Sequence, residues 1–237
     1  MLRASVLHKC THLLRRDYCF YQKYVPLCWL LTPSLFRTHS LQTAVAFALW
    51  TTVVVGGFRS LIQYEVTSGA AGELPAEWPA AAPVVFDGTK SNLVMLAHPR
   101  CPCTRASLAE LVKVMTQSGD AIKATVLFAI PRGDSAWEQG KLWQTAKNIP
   151  GVQVSVDRDG VWAKRFGAET SGHVVLFDRH GRVVFRGGIT GARGHEGDNP
   201  GEQAVINLAF ARTGFPDSTP VFGCALSTPI PQLDQNR

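Results

Sequence analysis

The chain has 237 residues, 46% of them hydrophobic and 18% charged, which allows one medium-sized core with extensions and excludes a disordered or collagen-like chain. Its net charge is +6, yet residues 1–40 carry Arg3, Lys9, Arg15, Arg16, Lys23 and Arg37 against Asp17 alone, while 17 basic and 17 acidic residues lie from Ser60 onward. The folded part is therefore neutral, which argues against a nucleic-acid partner.

After the basic segment 1–40, no Asp, Glu, Lys or Arg appears between Arg37 and Arg59, and the run LQTAVAFALWTTVVVGGF is almost wholly apolar. At ~1.5 Å per residue, about 20 residues span a ~30 Å hydrocarbon layer, so 41–62 is expected to be a transmembrane helix in contact with the lipid bilayer. A buried core helix would show a polar face, which is missing here. A cleaved signal would have a shorter basic leader. Because the positive charge precedes the helix, the N-terminus is expected in the cytoplasm and the rest in the periplasm or an equivalent extracytoplasmic space. Cys10, Cys19 and Cys28 would then sit among reducing systems, and their nine-residue spacing turns each side chain about half-way round a helix, so they receive no chemistry. Cys101, Cys103 and Cys224 would sit where disulfides persist.

Residues 63–83 are rich in Ala, Pro and Gly and are expected to be a linker. From residue 84 to about 214, strand and helix signals alternate, as in a sheet with parallel pairing covered by helices. Leu93–Ala97 is a continuous apolar strand that runs into Cys101, Pro102 and Cys103. Leu108, Leu111, Val112 and Met115 form one helical face ending near Gly119. Ile122–Ile130 is the next strand, and Ser135 with Glu138 makes a capping box for a helix that carries Trp137 and Trp143 and stops at Pro150 and Gly151. A strand over Val152–Val156, a short helix over Val161–Phe166, a hairpin of His173–Phe177 with Arg182–Phe185, and a helix from Asn199 and Pro200 to Arg212 complete the order β-α-β-α-β-α-β-β-α. Residues 215–237 form a C-terminal tail.

An apolar strand leading into a close Cys pair at a helix start, with a hairpin and a last helix behind it, resembles the thioredoxin-like superfamily over residues 84–214. The chain is similar in particular to membrane-anchored, extracytoplasmic members such as the RedB group. The resemblance implies an α/β thioredoxin-like fold, a central mixed sheet flanked by helices, with dithiol chemistry at Cys101 and Cys103 and protein thiols or disulfides and a redox partner as its reactants. No cofactor is implied. Two features depart from the family. One residue instead of two separates the cysteines, and the position of the family's cis-proline falls at Gly172, between Ser171 and His173. Peroxiredoxins place a Thr three residues before their Cys, where this chain has His98.

Geometry sharpens the motif. Side chains two apart on a helix point about 200° away from each other, so a Cys101–Cys103 disulfide requires at least one of the two to precede the helix. Pro102 at the first helical position puts Cys101 at the N-cap, where free N–H groups and the helix dipole favour a thiolate. Cys101 is thus the candidate nucleophile and Cys103 the resolving thiol, and their tight ring predicts a comparatively oxidising couple. His98, Arg100, Pro102, Gly172 and His173 are candidates for substrate binding or for tuning the thiols, and Cys224 is a candidate third thiol. His98, Cys101 and Cys103 would also suit copper or zinc on the same fold, although no residue is assigned as a metal ligand. A non-catalytic interaction domain is the remaining alternative. The loop 187–201 has six glycines and is expected to be mobile, with Arg193 and His195 placed by analogy near the site edge.

Overall fold

The structure is a computed structural model of the chain that describes residues 32–73, 75, 77–79, 82–133 and 140–226. It divides into two units, Met1–Ser60 and Leu61–Arg237. The first described element, α1, is a helix over Thr32–Val66. Its Thr51 and Thr52 hydroxyls donate to the carbonyls of Phe47 and Ala48, both at 2.8 Å, so these polar side chains are satisfied within the helix. The segment Ser40–Val66 has the length and apolar composition to cross a membrane, and Phe47, Trp50 and Val53 on it are exposed.

The domain is built on a five-stranded sheet of β1 (Ser91–Ala97), β2 (Ile122–Ile130), β3 (Val152–Arg158), β4 (His173–Phe177) and β5 (Val183–Gly188), in the spatial order β3-β2-β1-β4-β5. Strands β1 to β3 run parallel, while β4 runs antiparallel to both β1 and β5. Helices α2 (Pro102–Ser118), α3 (Lys141–Lys147), α4 (Val161–Arg165) and α5 (Pro200–Ala209) flank it. This is the thioredoxin-like fold, with the element order read from the sequence. The central strand β1 is buried on both faces, which is why it shows no alternation. Its Leu93, Met95 and Ala97 meet Leu108 and Leu111 of α2 and Val205 of α5, while Val94 and Leu96 meet Phe166, Phe177 and Ala163 on the other face.

Some boundaries differ from the sequence reading. Helix α5 stops at Ala209 instead of Arg212, because Ala211 takes φ 56° and Arg212 N–H turns back to Asn207 O at 3.1 Å. Ser135, Trp137 and Glu138 lie outside the described residues. The stretch read as a linker is fastened at several points: Gly69 N–H donates to Val221 O at 2.8 Å, Ala71 bridges Ala168, and Trp78 packs 5.0 Å from the Phe177 ring. Backbone pairing and one large aromatic ring together anchor a segment whose average composition is that of a spacer. The tail also returns to the sheet, with Arg186 N–H donating to Asp217 O at 2.9 Å and Thr219 N–H to Arg186 O at 3.1 Å along β5.

Between α2 and α5, the side chains of Glu110 and Glu202 are fully buried. Glu110 Oε1 accepts from Gly197 N–H at 2.7 Å and from Lys113 Nζ at 3.1 Å, and Gln117 Nε2 donates to Glu202 Oε1 at 3.4 Å. Burial, a shared hydrogen bond with Glu110 and the Glu110 charge push Glu202 up to about 6, against the pull of Lys113. A carboxyl whose folded pKa lies above its unfolded value resists ionising in the native state, so its contribution to stability falls as pH rises from 4.5 through about 6. Glu202→Gln is therefore expected to leave stability unchanged near pH 4 and to raise it by about 1 kcal/mol above pH 7, read from urea unfolding at the two pH values.

Candidate thiol site

The end of β1 delivers the motif. Cys101 N–H donates to His98 O at 3.1 Å, closing a tight turn, and Cys101 caps α2 with extended backbone (φ −82°, ψ 121°) while Pro102 occupies the first turn. The turn is tied to the segment preceding β4. Buried Ser171 accepts from His98 N–H through Oγ at 2.8 Å and shares a 2.8 Å hydrogen bond with Thr104 Oγ1, which also donates to His98 O at 3.0 Å. Next to it, Gly172 N–H donates to Leu96 O at 2.8 Å. Gly172 has φ 88°, a region closed to proline, whose ring fixes φ near about −65°. A Cβ there would lie 2.6 Å from Ser107 Oγ.

The tail completes the site. Ser171 N–H donates to Cys224 O and Leu226 N–H to Glu169 O, both at 2.8 Å, so residues 224–226 pair with the strand-like segment 169–171. Gly223 permits this approach, since a Cβ on it would fall 2.0 Å from Ser171 O. The pairing brings Cys224 Sγ to 3.0 Å from Cys101 Sγ. All three thiols are free; Cys101 is 1% and Cys103 8% exposed, and Cys224 is half-buried.

Burial pushes the Cys101 thiol up, yet the Cys224 thiol and the backbone N–H groups of Cys224, Thr104 and Cys103 outweigh it and hold Cys101 below the ordinary 9.0. Cys103 is raised by burial and by the negative charge on Cys101 beside it. Cys224 is pushed up to about 12 by burial and by its hydrogen bond to Cys101. The site therefore favours a single thiolate, on Cys101. The cation acting on Cys103 and Cys224 is Arg193. Its Nε donates to Tyr64 O at 3.0 Å, its Nη1 donates to Gly223 O, and its guanidinium lies 4.8 Å from the Tyr64 ring centre. The N–H of neighbouring Gly194 favours a thiolate on Cys103.

The remaining candidates are placed less centrally. Arg100 and Pro102 are exposed; Arg100 N–H donates to His98 Nδ1 at 3.2 Å. Burial, and then Arg100, hold His98 below the ordinary imidazole value. His173 is buried with neither ring nitrogen hydrogen-bonded, and burial together with the Arg186 charge lowers it to about 4. It shares a face of β4 with Val175 and Phe177, opposite the face that α2 covers. Among the described residues, no three His, Cys, Asp or Glu side chains form a group able to hold a metal ion, so His98, Cys101 and Cys103 do not make one. The sequence reading missed the work of Ser171 and Thr104. Neither carries a motif, and Arg193, which analogy places near the site edge, gains its bonds to Tyr64 O and Gly223 O only in the fold.

No protein-family model matches the chain, and no curated protein matches it. Among solved structures it is similar to the hypothetical protein SMc02350 from Sinorhizobium meliloti 1021, at 20% identity over 68% of this chain and 94% of that one, with TM-score 0.50. It is also similar to an uncharacterized conserved protein from Geobacillus kaustophilus, at 16% identity over 69% and 93% of the two chains, with TM-score 0.50. At these identities the likeness is one of fold. A weaker likeness, at 16% identity and TM-score 0.39, covers 53% of this chain and 84% of a secreted Mycobacterium tuberculosis disulfide oxidoreductase homologous to E. coli DsbE.

Both the backbone angle and the space at Gly172 exclude a side chain. Gly172→Ala is expected to destabilise the domain by about 1–3 kcal/mol, and Gly172→Pro by more, since proline also removes the N–H bonded to Leu96. Thermal melts of the two variants would show the order, and a Gly172→Pro chain as stable as the parent would contradict it.

Proposed function

We propose that the chain is a thiol–disulfide oxidoreductase tethered to a membrane by α1 and acting outside the cytoplasm, a RedB-like arrangement. The observation that carries this reading is the Cys101 sulfur itself. It sits at a helix N-cap with backbone N–H groups and a second thiol holding its charge, and with Cys103 two residues away. The Cys101 thiolate attacks one sulfur of a protein disulfide, forming a mixed disulfide and releasing the other sulfur as a thiolate that takes up a proton. A neighbouring thiol then attacks Cys101 Sγ and frees the second substrate sulfur. Two cysteines of this chain are thereby oxidised to a disulfide, and the substrate disulfide is reduced to two thiols. A redox partner that exchanges with the pair resets it, and the relative reduction potentials set the direction of flow.

The placement rests on two features. The excess of Lys and Arg before α1 favours a cytoplasmic N-terminus, and a disulfide-forming domain needs a compartment where disulfides persist.

Cys101→Ser is expected to abolish reduction of a model protein disulfide. It is also expected to remove a thiolate step that, followed by ultraviolet absorbance, titrates below the ordinary 9.0 in the parent. A Cys101→Ser chain that keeps the activity, or a parent with no such step, would sink this reading.

A further inference from the structure

Resting on that reading, the geometry points to Cys224 as the thiol that resolves Cys101, so that the oxidised site is a Cys101–Cys224 disulfide fastening the C-terminal segment over the motif. The two sulfurs are 3.0 Å apart, and a disulfide bond of ~2.05 Å requires them to close by only about 1 Å. The backbone around Cys224 is already fixed in place. Its own carbonyl is held by Ser171 N–H, Leu226 N–H is held by Glu169 O, and the Gly223 carbonyl is held by Arg193. This ordering precedes the bond, so forming it sacrifices little further freedom. Cys103 also meets Cys101 through a side-chain hydrogen bond, but a bond to it would close the tighter ring. Cys103 lies inside the first turn of α2, and Pro102, whose ring fixes its φ, is the single residue joining it to Cys101.

Burial of the nucleophile fits the same arrangement. Because Cys101 is 1% exposed, an external disulfide reaches it only when the tail lifts from segment 169–171. Thiolate attack then leaves Cys101 in a mixed disulfide, with one substrate sulfur released as a thiol. Burial still favours the Cys224 proton, but that step removes the hydrogen bond and negative charge of Cys101 that also hold it on, while Arg193 continues to favour the Cys224 thiolate. When the tail returns, Cys224 loses its proton and attacks Cys101 Sγ; the Cys101–Cys224 bond forms, and the second substrate sulfur leaves and takes up a proton. The electrons that reduce the substrate disulfide come from the Cys101 and Cys224 thiols. Cys103 remains a thiol throughout.

The test is disulfide mapping of the full chain after treatment with oxidised glutathione, acid quenching, alkylation and trypsin. Cleavage after Arg100, Arg105 and Arg212 places Cys101 and Cys103 in peptide 101–105 and Cys224 in peptide 213–237. The expected product is a cross-link between these peptides in the parent and in Cys103→Ser, lost in Cys101→Ser. In Cys224→Ser, a glutathione adduct is expected to persist on peptide 101–105. Mapping the parent requires no variant to fold. If peptide 101–105 is instead two hydrogens lighter and Cys224 is alkylated, the Cys224 assignment is overturned while the oxidoreductase reading stands. A cross-link that survives Cys101→Ser also overturns the assignment. Absence of any disulfide or glutathione adduct at the three cysteines would overturn both.

Discussion

Ser171 joins three parts of the chain that are far apart in sequence. Its hydroxyl takes the N–H of His98 and meets the hydroxyl of Thr104, while its backbone N–H holds the carbonyl of Cys224. A buried hydroxyl left without partners would cost about 1–3 kcal/mol, so the turn, the segment before β4 and the tail fit together or not at all. The positions of all three sulfurs follow from this junction. The turn sets Cys101 at the head of α2, and the tail sets Cys224 against it.

Within that frame the electrostatics are those of one charge shared among crowded sulfurs. Burial opposes every thiolate here, and only Cys101 has a partner thiol, Cys224, and enough N–H groups to overcome it. Once Cys101 is charged, its neighbours are held protonated by repulsion as well as by burial. Arg193 tempers this without reversing it, since its guanidinium is also engaged by the carbonyls of Tyr64 and Gly223. The site thus distinguishes an attacking sulfur from waiting ones through backbone geometry more than through charged side chains.

What could be read from the sequence follows the range of the forces involved. β2 and β4 have the bounds that their apolar runs predicted, and Gly119 stops α2, because strand burial and helix capping are local in sequence. The N-cap place of Cys101 was legible for the same reason, since Pro102 fixes the first turn. The loss of proline before β4 was visible as Gly172, but its cause, a positive φ beside Ser107, was not. Cys224 could only be flagged as a third thiol, because its approach to Cys101 depends on pairing across 123 positions. The Ala/Pro/Gly-rich stretch misled through its average, because backbone bonds at Gly69 and Ala71, which leave no side-chain signal, fasten it together with the Trp78 ring.

The run of the tail along β5 has a consequence for how the molecule meets copies of itself. β5 is the last strand of the sheet, and a bare outer strand offers unpaired N–H and C=O groups on which another chain can nucleate aggregation. At Arg186 both of those groups are taken up, one by Asp217 and the other by Thr219. The segment that carries Cys224 to the thiols therefore also blunts that border, and cutting the chain after Arg212 would expose an adhesive edge along with the sulfurs.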